Sequence, residues 1–331
     1  MPSNLHLLAI ALVALAVSIS AARADDPALA CTECSDLQCT ECADRACTEC
    51  SEQPATLADT TGEVEVAGLS WQTDYGKAMS LAQQRGEMLL VFFHAEGENA
   101  ARDGFISNSL TDPQVERQLS RYTRAMLPLS TQISVGGKPV RLAEHPAYRD
   151  LLGRQGIAVV DFANTNSSHY GHVVSAFPFS PGKYYRPHAL RVILDLPVGS
   201  LTQRTMIYAV RMHPERPRST EGEFNVVLAS EAESHSQYQA SIRNQGHHSW
   251  DTRFHRINAK LPHAMSAREV VAESWPGESL VEACVECVRS WRQSPGHWSA
   301  VRSSHSLFAY DIKRGSNGVW YATGIFAGGS R

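Results

Sequence analysis

The chain has 331 residues, 43% of them hydrophobic and 19% charged, which is enough for two domains that each bury a core. A formal net charge of -4 excludes a strongly basic binder, so nucleic acid is not an expected partner and neither is an anionic membrane. The eight cysteines are strongly clustered, and that cluster lies near the start of the chain.

Residues 1–24 have the pattern of an export signal. Leu7 to Val17 is an apolar stretch of the right length, and Ala22-Arg23-Ala24 offers a small-x-small cleavage site. A spanning helix needs roughly twenty apolar residues. The expectation is therefore a secreted or periplasmic protein with no transmembrane segment in the mature chain. Residues 25–66 follow as a tail and linker, in which Cys-Thr-Glu-Cys recurs at 31, 39 and 47. The repeat supplies Cys31, Cys34, Cys39, Cys42, Cys47 and Cys50 among acidic and small residues, with no apolar periodicity from which to build a core. Three readings stand open for it: disulfides formed in an oxidising compartment, zinc held by two Cys-x-x-Cys pairs, or a tail without a defined fold. Only four residues separate successive pairs, which is tighter than in a standard zinc finger.

Residues 67–196 have an α/β pattern. Asp74 to Arg85 predicts a helix with Tyr75, Ala78, Met79 and Ala82 on one face, and Met88 to His94 is a continuous apolar run suited to a strand buried on both sides. Asp112-Pro113 caps a second helix through Leu119. A strand over Ala125 to Leu129, a helix over His145 to Leu152, strands at Ile157 to Phe162 and Val173 to Phe179, and a helix from His188 to Leu194 complete the series. With Trp71, Lys77-Ala78 and the strand ending Phe92-Phe93-His94-Ala95, this order resembles the thioredoxin-like family. Redox-active members carry Trp-Cys-x-x-Cys just after that strand. Here Glu96 to Asp103 contains no cysteine, so neither an attacking thiolate nor a resolving thiol is present. The expected domain is not a thiol-disulfide oxidoreductase, and a binding or scaffolding role remains for it.

Residues 197–218 are expected to connect two domains, with a strand over Thr202 to Met212, and residues 219–331 to form the second domain. Phe224 to Asn244 predicts its first helix. Val281, Cys284, Val285, Val288 and Trp291 recur at helical spacing, and Ser294-Pro295-Gly296 should stop that helix and hold His297 just beyond its end. Val319 to Phe326 reads as a closing strand. Cys284 and Cys287, three apart in this helix, are expected as buried small apolar residues.

Ala272-Glu273-Ser274, Trp291-Arg-Gln-Ser-Pro-Gly-His297 and Tyr321 to Phe326 together resemble bacterial members of the CAP superfamily, over about residues 219 to 328. Ser274 stands where that family usually has asparagine, and no glutamate follows Trp291. The resemblances imply a thioredoxin-like fold followed by a CAP-like α-β-α sandwich, whose cavity would be lined by His247, Glu273 and His297. His248 is an alternative to His247, and His235 a packing residue. Two imidazoles and a carboxylate can hold zinc with an open position for water; the same residues can also simply satisfy one another and fix the fold. The function expected is an exported binding or interaction protein, its partner an extracellular or periplasmic protein, a glycan or a lipid. The alternatives are a metal-dependent hydrolase at the cavity and a metal- or thiol-buffering role for the cysteine repeat.

Overall fold

The computed structural model describes residues 62–262 and 265–328. The export signal and the six repeat cysteines, Cys31 to Cys50, lie outside the described residues. The fold mixes helices with two main sheets, in the α/β and α+β class expected.

Regular structure begins inside the stretch assigned to the linker, with a hairpin of β1 (Glu63–Val66) and β2 (Leu69–Gln72). Helix α1 (Tyr75–Arg85) starts where the Asp74 carboxylate accepts the Lys77 amide at 2.7 Å, and stops at Gly86, whose φ of 62° favours glycine. Strand β3 (Met88–His94) is followed by α2 (Ala100–Gly104), a π-helical turn over Phe105–Leu110, and α3 (Pro113–Leu119), capped by Asp112. Next come β4 (Tyr122–Pro128) and a small hairpin of β5 (Gln132–Val135) and β6 (Lys138–Arg141). Where an α-helix is expected over His145 to Leu152, the chain forms a 3-10 helix, Pro146–Leu151. It ends at Leu152 in the left-handed region, and buried Tyr148 donates from its hydroxyl to that of Tyr75 at 2.8 Å. Strands β7 (Gly156–Val160) and β8 (Val173–Pro178) and helix α4 (Pro187–Leu194) follow.

The first sheet has the order β1-β2-β4-β3-β7-β8, with β2, β4 and β3 parallel and β7 and β8 antiparallel. Strand β3 is apolar throughout because both its faces are covered. Leu90 and Phe92 pack with Trp71, Phe105 and Leu119, whereas Leu89, Val91 and Phe93 pack with Ala78, Ala82 and Tyr148. Gly156 is required where β7 passes β8, since a Cβ there would lie 2.4 Å from the Phe177 carbonyl oxygen.

The stretch expected to be a connector with a strand is instead helix α5 (Leu201–Arg211). Ser200 and Gln203 form a reciprocal capping box at its start. Every residue from Gln203 to Val210 is buried, and the continuous apolar run Met206 to Val210 imitates a strand covered on both sides.

The second sheet, of order β10-β12-β11-β9, is built from β9 (Glu223–Phe224), β10 (Ala267–Glu273), β11 (Leu307–Arg314) and β12 (Trp320–Ala327). Between these strands run α6 (Val226–Ile242), α7 (Trp250–Asn258), α8 (Leu280–Gln293) and α9 (Pro295–Arg302). Alternate residues of β12 face opposite ways: Ile325 and Ala327 pack with Leu228 and Ala232 of α6, while Ala322 and Phe326 pack with Cys284, Val288 and Trp291 of α8. Cys284 and Cys287 are free and fully buried in that second layer, and burial pushes both thiols well above their ordinary value. Glu231 of α6 ties down α7 through Arg256, 2.6 Å away, and the turn after it through Lys260 at 3.2 Å. Among the described residues no helix is long and apolar enough to cross a membrane.

One apolar cluster runs through both halves. Phe177 and Ile193 of the first half share it with Met206, Ile207 and Val210 of α5 and with Trp291, Phe308 and Phe326 of the second. Replacing Ile207 with alanine should cost about 2–5 kcal/mol. Because α5 belongs to both halves, hydrogen exchange in Ile207→Ala should show lost protection on β3 and β12 together. Loss confined to one sheet would contradict a shared core.

Candidate functional site

A buried carboxylate on β10 organises the site, and it is Glu269. Its side chain is 1% exposed. One oxygen, Oε1, lies 3.0 Å from Nδ1 of His247 and 3.7 Å from Nε2 of His235. The other, Oε2, accepts from the Arg253 guanidinium. Arg253 projects from the first turn of α7 and is held over the Trp250 ring, 5.4 Å from its centroid.

The loop that carries His247 is fixed at both ends. Helix α6 stops at Arg243 in the left-handed region, and Gly246 then donates its amide to the Gln239 side chain at 3.1 Å and accepts from His235 at 2.9 Å. Ser249, also left-handed, turns the chain into α7. His247 thereby points Nδ1 at Glu269 and Nε2 at Nε2 of His297, 3.2 Å away. His297 does not sit beyond a helix end, as the Ser-Pro-Gly sequence suggests. Pro295 starts a new helix, α9, and His297 is its third residue. Proline is well suited to a first helical position, so the same residues that end α8 begin α9.

Proton positions follow from the donors available. A carboxylate only accepts, so Nδ1 of His247 carries a proton and, in the neutral ring, Nε2 keeps its lone pair. His297 then donates from its own Nε2 toward His247, or offers a second lone pair when its proton sits on Nδ1. Burial alone would raise the pKa of Glu269, but hydrogen bonds from His247 and Arg253 and the nearby positive charge outweigh it, and the carboxyl titrates below its usual range. Burial, reinforced by the facing His247 ring, draws His297 below the ordinary histidine value, with Glu269 acting in the opposite sense. Burial lowers His235 in the same way, against the pull of Glu269.

Of the three residues expected to meet, His247 and His297 do so and Glu273 does not. Glu273 is exposed at the end of β10, opposite Tyr321. It stands four residues from Glu269, about 13 Å along an extended strand. Both carboxylates fall on the same strand face, so alternation alone does not separate them. Glu269 and Arg253 are the residues that sequence reasoning missed. A signal was available: Glu269 directly precedes the apolar run Val270-Val271-Ala272, where a carboxylate must find a partner. His248 bonds Asn244 at 3.2 Å and packs on Tyr238, apart from the imidazole pair. Among the described residues, no group of three or more His, Cys, Asp or Glu side chains is placed to hold a metal ion.

No family model matches the chain, and no curated protein matches it. Among solved structures, an outer surface protein of Borrelia burgdorferi is similar to it at 19% identity and a TM-score of 0.27, covering 32% of this chain and 77% of that one.

The lowered pKa of His297 has a measurable sign. An imidazole whose folded-state pKa is depressed keeps its contribution to stability above about pH 6.5 and loses it as pH falls through the folded value. In His247→Ala the opposing ring is gone, and the NMR titration midpoint of His297 should move up toward the ordinary value. A midpoint that stays fixed or falls would show that the facing ring is not a cause.

Proposed function

We propose that the chain is an exported binding protein whose paired imidazoles take one divalent cation, zinc by preference, in a CAP-like sandwich joined to a thioredoxin-like half that has no redox chemistry. The observation that carries this reading is the 3.2 Å separation of the two Nε2 atoms, with a buried carboxylate behind one ring. Zinc–nitrogen bonds of about 2.0–2.1 Å in tetrahedral geometry put ligand nitrogens about 3.3 Å apart, close to the separation of this pair. Glu269 sets the His247 tautomer that such a site needs, and Arg253 keeps Glu269 ionised for that task. A bound zinc ion would supply a Lewis acid with coordination positions left for water or a ligand.

Binding is preferred to hydrolysis because Glu269 has one oxygen engaged with His247 and the other with Arg253, which leaves it poorly placed as a general base. Export is supported by the apolar stretch Leu7 to Val17 and the site at Ala22-Arg23-Ala24. The partner remains an extracellular or periplasmic protein, glycan or lipid. For the thioredoxin-like half, the support is the strand order of the first sheet and the cysteine-free segment after β3.

Zinc titration of the mature chain and of a version starting at residue 62 tests the reading. About one zinc per chain should bind to both forms. His297→Ala should abolish it, Glu269→Gln should weaken it about 10–100-fold, and Glu273→Gln should leave it unchanged. Affinity should fall as the solution is acidified, because protons compete with zinc for the ligand nitrogens. Zinc lost on removing residues 1–61 would instead assign metal binding to the cysteine repeat.

A further inference from the structure

A second cavity shares no lining residue with the imidazole pair. It is a crevice of about 710 Å³ between the β7–β8 connection, the entry to α5 and the first two turns of α6. We propose that this crevice binds a neutral pyranoside, a sugar ring presenting hydroxyls on one side and C–H groups on the other.

Three features carry the assignment. First, the polar wall is pre-formed. Asp161 is buried and accepts from the amides of Ala163 and Asn164, each at 3.0 Å, and from the Asn164 side chain. The Gly171 amide closes the loop onto the Asp161 carbonyl at 2.7 Å, and Ser167 accepts the His169 amide at 3.1 Å. Amide, hydroxyl and imidazole groups are thus held on a rigid connection, which lowers the entropy lost on binding a polyol.

Second, the opposite wall and the floor carry exposed apolar side chains among polar ones. Val226, Ala229, Ser230 and Glu233 follow the spacing of one helix face, and Phe224 precedes them. Val226 is 74% exposed and Val198, on the floor, is 44% exposed. Large apolar side chains this exposed, lining one crevice together with polar groups, suit a ligand that is itself amphipathic. Gly199 keeps the floor open, since a Cβ there would lie 2.9 Å from Gln203 Oε1 and 3.5 Å from the Phe224 ring.

Third, the lining offers no uncompensated charge. Glu233 is paired with Lys313 at 2.9 Å, and burial keeps His169 below the ordinary histidine value. A phosphate, a nucleotide or a strongly ionic peptide would find no counter-charge in the lining. The volume lies within the usual span of small-ligand sites, roughly 300–1,000 Å³.

The test is isothermal titration and saturation-transfer NMR on the mature chain. Probes are methyl glycosides of glucose, galactose, mannose and N-acetylglucosamine, with cellobiose and diacetylchitobiose, and inorganic phosphate as the charged comparison. At least one sugar should bind and phosphate should not. Ser230→Trp, an exposed change that fills the crevice, and Val226→Glu, which puts a charge on the apolar wall, should each weaken sugar binding at least about tenfold at unchanged melting temperature. No sugar response up to about 10 mM, binding of phosphate instead, or sugar binding indifferent to both variants would overturn the proposal.

Discussion

Helix α5 has no exposed face to spare, and the architecture depends on that constraint. It lies in the apolar cluster that contains Phe177 and Ile193 on one side and Trp291, Phe308 and Phe326 on the other. It also carries a fully buried cation. Arg204 donates to Ser175 at 2.8 Å and to the carbonyls of Leu196 and Pro197 at 2.9 and 2.7 Å, so neutral acceptors satisfy most of its donors. Burial pulls the guanidinium below its ordinary value, with Tyr122 acting against it. A buried charge is costly unless hydrogen-bonded, and here the bonding groups come from β8 and from the turn that leads into α5. The register of α5 against the first sheet is set by polar contacts as well as by packing.

At its amino end α5 reaches the second sheet through another buried group. Thr202 donates to Asp311 of β11 at 2.6 Å, and Lys313 approaches the same carboxylate at 3.3 Å while pairing with Glu233 of α6. Burial outweighs these partners and pushes Asp311 up to about 6. Strand β9 pairs with β11 only at Leu307 and Phe308. Beyond that point α5 and the Asp311 cluster take over along β11. Sheet, helix α5 and helix α6 therefore meet at one set of charges, and Glu233 from that set lines the crevice.

How much of this was legible in the sequence depended on what each element faces. Helices α1 and α3 announce themselves through Asp74 and Asp112, whose carboxylates cap the first turn, and α8 through the three-and-four spacing of Cys284, Val288 and Trp291. Strand β3 was legible because a seven-residue apolar run matches a strand covered on both sides. The same logic misleads for α5, where the buried run Met206 to Val210 is continuously apolar and reads as a strand. His247 and His297 were picked out by the family resemblance, although the Ser-Pro-Gly context put His297 in a turn and not in α9, whereas Glu269 was not picked out. Choosing between two carboxylates on one strand face requires knowing how deep each lies, and that is set by α7 and Arg253 folding over Glu269 while Glu273 emerges at the strand end.

The imidazole pair is a product of this depth. Strand β10 places Glu269 where water cannot solvate it, so its two oxygens must each find a donor. Arg253 neutralises the charge through one oxygen, and His247 is drawn to the other. With Nδ1 committed, the only free position on His247 is Nε2, directed outward to a ring that α9 presents from 50 residues further along the chain. Three-ligand geometry would need Glu269 to leave Arg253 and turn past His247, stranding a guanidinium that already has one buried nitrogen, Nη1, without a partner. The buried ion pair thus holds Glu269 in place and leaves the outer side of the imidazole pair, where the His247 side chain is 42% exposed, open to solvent.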